Sequence, residues 1–205
     1  MSRAILHNYM KQNKIFAYGR HAVRDALLYA PRSLTKVYMD AKMVDTKLRR
    51  QIEEAGVSVA KLSEGMARSD MKSGTAHQGV IGSISIPQLM VPYQKFLDQL
   101  EATPRAMLVL LNGVQDPHNV GAIIRTAAGF GATAVLMPDK GQAPVTGSVI
   151  KVSAGMAFRL PLVSIGSVKQ TVFDLKKKGF KVYSLAGEGA QSIGTEGFGG
   201  PSVFI

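Results

Sequence analysis

Asn112, Asp116, Asn119 and Arg125 are the residues whose types and spacing suggest chemistry. They fall within NGVQDPHNVGAIIRTAAGFG, residues 112–131. Three carry short polar side chains that can orient a bound group. The fourth is a permanent cation inside an otherwise apolar helical pattern, where it must meet a phosphate, a carboxylate or solvent. A functional site is expected here. Taken one at a time, the same residues also read as a helix cap (Asp116), a turn residue (Asn119) and a surface cation (Arg125).

The elements that must hold them follow from hydrophobic patterning. The run MLVLL, 107–111, fits a strand buried on both faces of a parallel sheet. Pro117 after Asp116 marks a helix start, because proline lacks only an N–H that the first turn leaves unpaired and aspartate caps well. Ala122, Ile123, Thr126, Ala127 and Phe130 recur at helical spacing, and Gly129 and Gly131 provide a stop. Further on, strands are expected at 134–137, 162–164 and 180–185, and helices at 148–154 and 168–178. Such alternation implies a parallel sheet with helices on both faces. Lys176, Lys177 and Lys178 read as a helix end complementing its dipole. A dinucleotide fold would need GxGxxG at the first strand-to-helix turn. That turn reads DPHNVG, and the only similar stretch, Gly187-Glu188-Gly189, opens no clear helix.

The front of the chain also alternates. Helices are expected at 21–29 and 44–55, strands at 36–39, 57–62 and 79–86, and a short helix or turn through Met71. Arg49 with Lys47 and Arg50 reads as a solvated face, with Glu53 placed to pair with Arg49. The stretch 87–105 holds three prolines and one amphipathic segment, 93–100, and reads as a linker with a helix in it.

With 205 residues and 46% hydrophobic content, the chain can bury one large or two small cores. No apolar run approaches the roughly 20 residues needed to cross a bilayer, and Met1-Ser2-Arg3 is not a signal peptide. A cytoplasmic location is expected, or an organelle matrix if the basic stretch 1–14 is a transit remnant. Cysteine is absent, which excludes disulfides and thiolate chemistry, and four scattered histidines show no metal-ligand spacing. The net charge is +11, with 14 Lys/Arg against 7 Asp/Glu in residues 1–90 and 11 against 7 in residues 91–205. The excess points to the front as the landing place for a polyanion.

DPxNVGAIxRTAxxFG resembles the first signature of the SpoU (TrmH-like) RNA ribose 2′-O-methyltransferases of the SPOUT class. FAYGRHAVRDALL, 16–28, and HQGV, 77–80, look like the two ends of the L30e-type RNA substrate-binding domain of the RlmB-like branch. KVSAGMAFRLPLV, 151–163, looks like the family's KxSxGAxxxLP segment. The resemblance implies a basic tail (1–14), an L30e-like α/β domain (15–86), a linker (87–105) and a SPOUT methyltransferase domain (106–205).

It further implies methyl transfer from S-adenosylmethionine (SAM), with no metal, to a ribose 2′-hydroxyl of RNA. Large-subunit ribosomal RNA, at a guanosine, is implied ahead of transfer RNA. Asn119 and Arg125 become the catalytic pair, with Arg125 on the phosphate beside the target ribose and Asn119 orienting the ribose or the guanidinium. Leu185, Ala186 and Gly187 become cofactor-binding, and Arg20, His21 and Arg24 join Arg125 as RNA-binding. His77 and Gln78 read as structural. The family is homodimeric, with a C-terminal trefoil knot. Residues 201–205 read as an apolar strand start, which in the family leads into a second signature, a Gly/Asn-Glu-Gly loop, and a third, ending in Ser-Leu-Asn; neither follows it in these residues. The expectation is therefore an incomplete methyltransferase domain, with much of the SAM pocket missing and a sheet edge left open. The alternatives are a noncatalytic RNA-binding module or an inactive fragment and, more remotely, a nucleotide oxidoreductase.

Overall fold

The computed structural model describes residues 13–43, 45–63, 77–187, 189 and 192–205. The front of the chain forms a four-stranded sheet from β1 (Lys14–Tyr18), β2 (Leu34–Met39), β3 (Ser58–Lys61) and β4 (Val80–Ser85), in the order β1-β4-β2-β3. β4 runs antiparallel to both neighbours, whereas β2 and β3 are parallel. Alternation sends Ile15 and Ala17 of β1 and Val37 and Met39 of β2 into a core. Helices α1 (Arg20–Tyr29) and α2 (Thr46–Glu54) add Val23, Ala26, Leu48 and Ile52 to the same core. Asp45 caps α2 by accepting from the Leu48 N–H at 3.0 Å. The expected helix or turn through Met71 lies outside the described residues.

The second sheet has six parallel strands in the order β5-β8-β7-β6-β10-β9. These are β5 (Met90–Pro92), β6 (Met107–Leu110), β7 (Ala134–Pro138), β8 (Leu162–Ile165), β9 (Lys181–Tyr183) and β10 (Ser202–Phe204). After a four-residue helix α3 (Ile86–Leu89), the remaining helices are α4 (Tyr93–Gln99), α5 (Pro117–Gly129), α6 (Gly147–Val152) and α7 (Val168–Lys177). One face of the sheet sets Val135, Met137 and Leu162 against Val120, Ile124 and Ala127 of α5 and Val149 and Ile150 of α6. The other sets Leu108, Leu110, Leu136, Val163 and Val203 against Phe96 of α4 and Leu175 of α7. This is the expected parallel sheet covered on both faces.

One feature departs from expectation. The stretch 87–105 does carry a helix, α4, but it also supplies β5, which pairs with β8 at one edge of the sheet. Its three residues end in Pro92, which an edge strand tolerates because one side of its backbone needs no partner. The last strand, β10, is not at an edge; it lies between β6 and β9, so the edges are β5 and β9.

The two sheets share one continuous core, which includes Ile15 and Val23 from the front and Val120 and Ile150 from behind. Arg159 reinforces the contact. It donates to Asp25 at 2.8 Å and lies 4.1 Å from the centre of the Tyr29 ring. Gly155 precedes this arginine in the left-handed region, φ +78°, and a Cβ there would collide with the Asp25 carboxylate. Gly155→Ala is expected to lower the unfolding free energy by about 1–3 kcal/mol in urea titration. Gly166→Ala, in open space, should change it little.

Candidate active site

The polar loop grows out of β6. The Leu111 N–H still donates to the Leu136 carbonyl at 3.0 Å, and the chain then turns through Asn112 to Gln115. Asp116 caps α5 as expected: its carboxylate accepts from the His118 N–H at 2.8 Å and its carbonyl from the Val120 N–H at 3.1 Å. The buried stripe of α5 is Val120, Gly121, Ile124 and Ala127, displaced from the expected one. Thr126 is exposed and Phe130, past the last turn, is 79% exposed. The stripe is displaced because α5 must pack on α6, where a Cβ on Gly121 would meet Val152 Cβ at 2.7 Å.

Asn119 and Arg125 both lie on the exposed surface of α5. Six residues apart, they sit about 120° from each other around the helix. Neither forms a hydrogen bond or ion pair with another described residue, so the structure does not bring Asn119 onto the guanidinium. Arg125 keeps its donors available for an anion.

A cleft of about 940 Å³ opens at the C-terminal ends of β9 and β10, within the size range of small-ligand sites. Leu185, Ala186 and Gly187 line it together with Tyr183, Phe198 and Phe204. Tyr183 stacks on Phe204 with ring centres 5.4 Å apart, and Phe198 meets Tyr183 edge-on at 5.0 Å. Flat aromatic faces beside a backbone with small side chains suit an adenine ring and the hydrogen-bonding groups of SAM. Gly187 has no atom within 4 Å of where a Cβ would sit. Asn119 and Arg125 do not line this cleft. The two features open on the same end of the sheet, because β6, which leads to α5, is the parallel neighbour of β10.

The front cations are brought together by an acid. Arg24 donates to the Asp45 carboxylate at 2.6 Å and Arg20 approaches it at 3.8 Å. His21 is exposed beside them. The Leu48 N–H, followed by Arg24 and Arg20, holds the Asp45 carboxyl below its ordinary value, outweighing desolvation. Arg24 therefore ties α1 to the start of α2. On α2 the pair that forms is Arg50–Glu54, at 2.7 Å, in place of the expected Arg49 and Glu53. Gln78 accepts from the Arg20 N–H at 3.4 Å, and His77 Nδ1 accepts from the Gly79 N–H at 3.1 Å. Both serve the turn into β4, as a structural reading of His77 and Gln78 requires.

The sequence profile of the SpoU rRNA Methylase family matches residues 106–205. A Pseudomonas putida protein named 23S rRNA (guanosine-2′-O-)-methyltransferase RlmB is 32% identical over 191 residues, spanning 92% of this chain and 76% of that protein. The chain belongs to the SpoU rRNA methylase family. A Vibrio cholerae protein of the same name is 34% identical over 179 residues, covering 86% of this SpoU chain and 72% of its own length. Among solved structures, the SpoU methyltransferase AviRb from Streptomyces viridochromogenes, in complex with AdoMet, aligns with a TM-score of 0.79. It is 15% identical, and the match covers all of this chain and 76% of that one. An rRNA methyltransferase from Sinorhizobium meliloti aligns with a TM-score of 0.74 at 19% identity, over 99% of this chain and 78% of that one. These two show that the SpoU fold is shared.

Sequence reasoning missed the aromatic lining of the cleft in this SpoU chain. Tyr183, Phe198 and Phe204 have no periodic relation; the pairing of β9 with β10 unites Tyr183 and Phe204, and Phe198 joins them from the loop before β10. It also missed Asp45 as the partner of Arg24, 21 positions away.

The depressed Asp45 carboxyl has a consequence for stability. Its contribution is complete above the unfolded carboxyl pKa of about 3.9 and is lost as pH falls through the lower folded value. Wild-type protein is expected to lose stability more steeply than Asp45→Asn below that pH, as measured by denaturant unfolding at successive pH values.

Proposed function

We propose that this protein transfers a methyl group from SAM to a ribose 2′-hydroxyl of large-subunit ribosomal RNA, at a guanosine. The observation that carries this reading is the identity of 32% and 34%, over most of the chain, to proteins named for that reaction. The exposed Asn119 and Arg125, and a cleft at the C-terminal end of the parallel sheet, support it. The backbone of Leu185, Ala186 and Gly187 and the faces of Tyr183 and Phe204 would hold the cofactor. When bound, SAM supplies a methyl group already activated on a sulfonium.

The protein's own task is then alignment and charge stabilisation. Arg125 binds the phosphate beside the target ribose and stabilises the oxyanion that develops as the hydroxyl loses its proton to solvent water. It does not act as the base, because the delocalised guanidinium is a permanent cation that holds its proton. The Asn119 carboxamide orients the ribose, and the 2′-hydroxyl it reads distinguishes RNA from DNA. Residues 15–86 form the RNA-landing part and 106–205 the catalytic part. Arg20 and His21 meet the polyanion, and Arg24 stiffens their helix through Asp45. The working form is a cytoplasmic homodimer, consistent with the exposed Phe130.

Calorimetric titration of SAM and of its demethylated product tests the cofactor assignment. It should be done on this chain and on a form continued with the family's second and third signatures. Binding by the continued form alone would assign these residues the RNA-facing part of the site. Ribosomal RNA binding with no SAM binding in either form would favour a noncatalytic RNA-binding module, and NAD(P) binding would favour an oxidoreductase. In the SAM-binding form, Arg125→Lys keeps the charge but loses the planar fork. It is expected to reduce methyl incorporation into ribosomal RNA by about 10²-fold or more. Near wild-type turnover would remove Arg125 from the mechanism.

A further inference from the structure

Gln142 is 4% exposed, in the loop that follows β7, and none of its hydrogen bonds serves its own strand or helix. Its Oε1 accepts from the Val114 N–H at 3.0 Å, and its Nε2 donates to the Val114 carbonyl at 2.7 Å. The Ala143 N–H donates to the same carbonyl at 2.9 Å. One residue further along, Gln115 Nε2 donates to the Gly141 carbonyl at 2.7 Å. A side-chain amide thus acts as a substitute peptide group, satisfying both backbone groups of Val114 where no neighbouring strand reaches them.

We propose that Gln142 is a positioning residue for the methyl transfer. It holds the loop between β6 and α5 at Val114, two residues before the Asp116 cap, and so fixes the start of the helix that presents Asn119 and Arg125. This rests on the function proposed above. The loop has few other restraints. Asn112 is exposed and makes no hydrogen bond with the described residues, and Asp116 directs its carboxylate into α5. Without the amide, the Val114 N–H loses its partner and its carbonyl keeps only the Ala143 N–H. The first turn of α5 is then free to shift against the sheet, while its later turns stay packed on α6 through Gly121 and Val152. Gln142 also lines a separate cleft of about 580 Å³ with Asp139 and Ser164, so its apolar edge contributes to packing.

Gln142→Met keeps length and volume and removes both hydrogen bonds to Val114, with the longer one from Nε2 to the Ala143 carbonyl at 3.5 Å, whereas Gln142→Ala also removes volume. Amide hydrogen exchange at Val114, read by mass spectrometry on the 205-residue chain, is expected to accelerate at least about tenfold in both variants. Thermal melting should be nearly unchanged in Gln142→Met. In the SAM-binding form, Gln142→Met should lower kcat for ribosomal RNA by about 10²-fold, the scale of a roughly 1 Å misplacement of a reacting group. KM for RNA and Kd for SAM should stay within about threefold of wild type.

Unchanged exchange at Val114 would show that the clamp does not restrain the loop. Faster exchange with unchanged kcat, or a loss confined to KM, would show that it does not position the chemistry. A wild-type protein that transfers no methyl group would overturn the proposed function, while the exchange result would still decide whether the clamp exists.

Discussion

β6 is hydrogen-bonded along both edges, to β7 on one side and β10 on the other, and the rest of the site depends on that double pairing. Leu108 and Leu110 point into one core, while the opposite face meets the layer containing α5 and α6. A strand enclosed in this way cannot slide by one residue without exchanging its buried and opposite faces. Because all six strands run parallel, fixing β6 also fixes the edge at which the loops before α5, after β7 and after β9 emerge. The exposed polar groups there need no contacts of their own to be placed.

Charge is distributed on the same logic. Arg24, Arg50 and Arg159 each face a carboxylate, on Asp45, Glu54 and Asp25 respectively. Arg24 and Arg159 hold elements together, whereas Arg50–Glu54 is a surface pair of small energetic weight. Arg125 has no such acid among the described residues. In a chain with 25 basic and 14 acidic side chains, Arg125 is a cation left uncompensated on the capped helix.

Much of this was legible in the sequence, for reasons that differ by element. β6, α5 and α7 have regular apolar periods, and Asp116-Pro117 marks a start that the structure confirms. β5 was hidden because Met90-Val91-Pro92 is too short to show a period and exists as a strand only through β8. The interior place of β10 depends on two long-range pairings that no local pattern encodes. The same limit hid the Asp45 partner of Arg24 and the contact of Gln142 with Val114, 28 positions apart. The signature around Asn119 and Arg125 singled out one helix, α5. It did not show that the two side chains leave that helix in different directions.

The interior position of β10 shapes how the molecule can fold. β6 and β9 precede it in sequence, yet each completes its backbone pairing only when β10 enters the gap between them. During synthesis β6 emerges with one edge unpaired and β9 with both, and the flanking helices can dock before the sheet is whole. Closing the gap requires contacts between Met107 and Ser202, nearly 100 positions apart by the register, the kind of distant pairing that slows folding. Until that strand arrives, the half of the sheet under the aromatic cleft has no fixed spacing. The edge that bears the aromatic cleft is therefore the last part of the sheet to be completed, and the part most exposed to mispairing on the way.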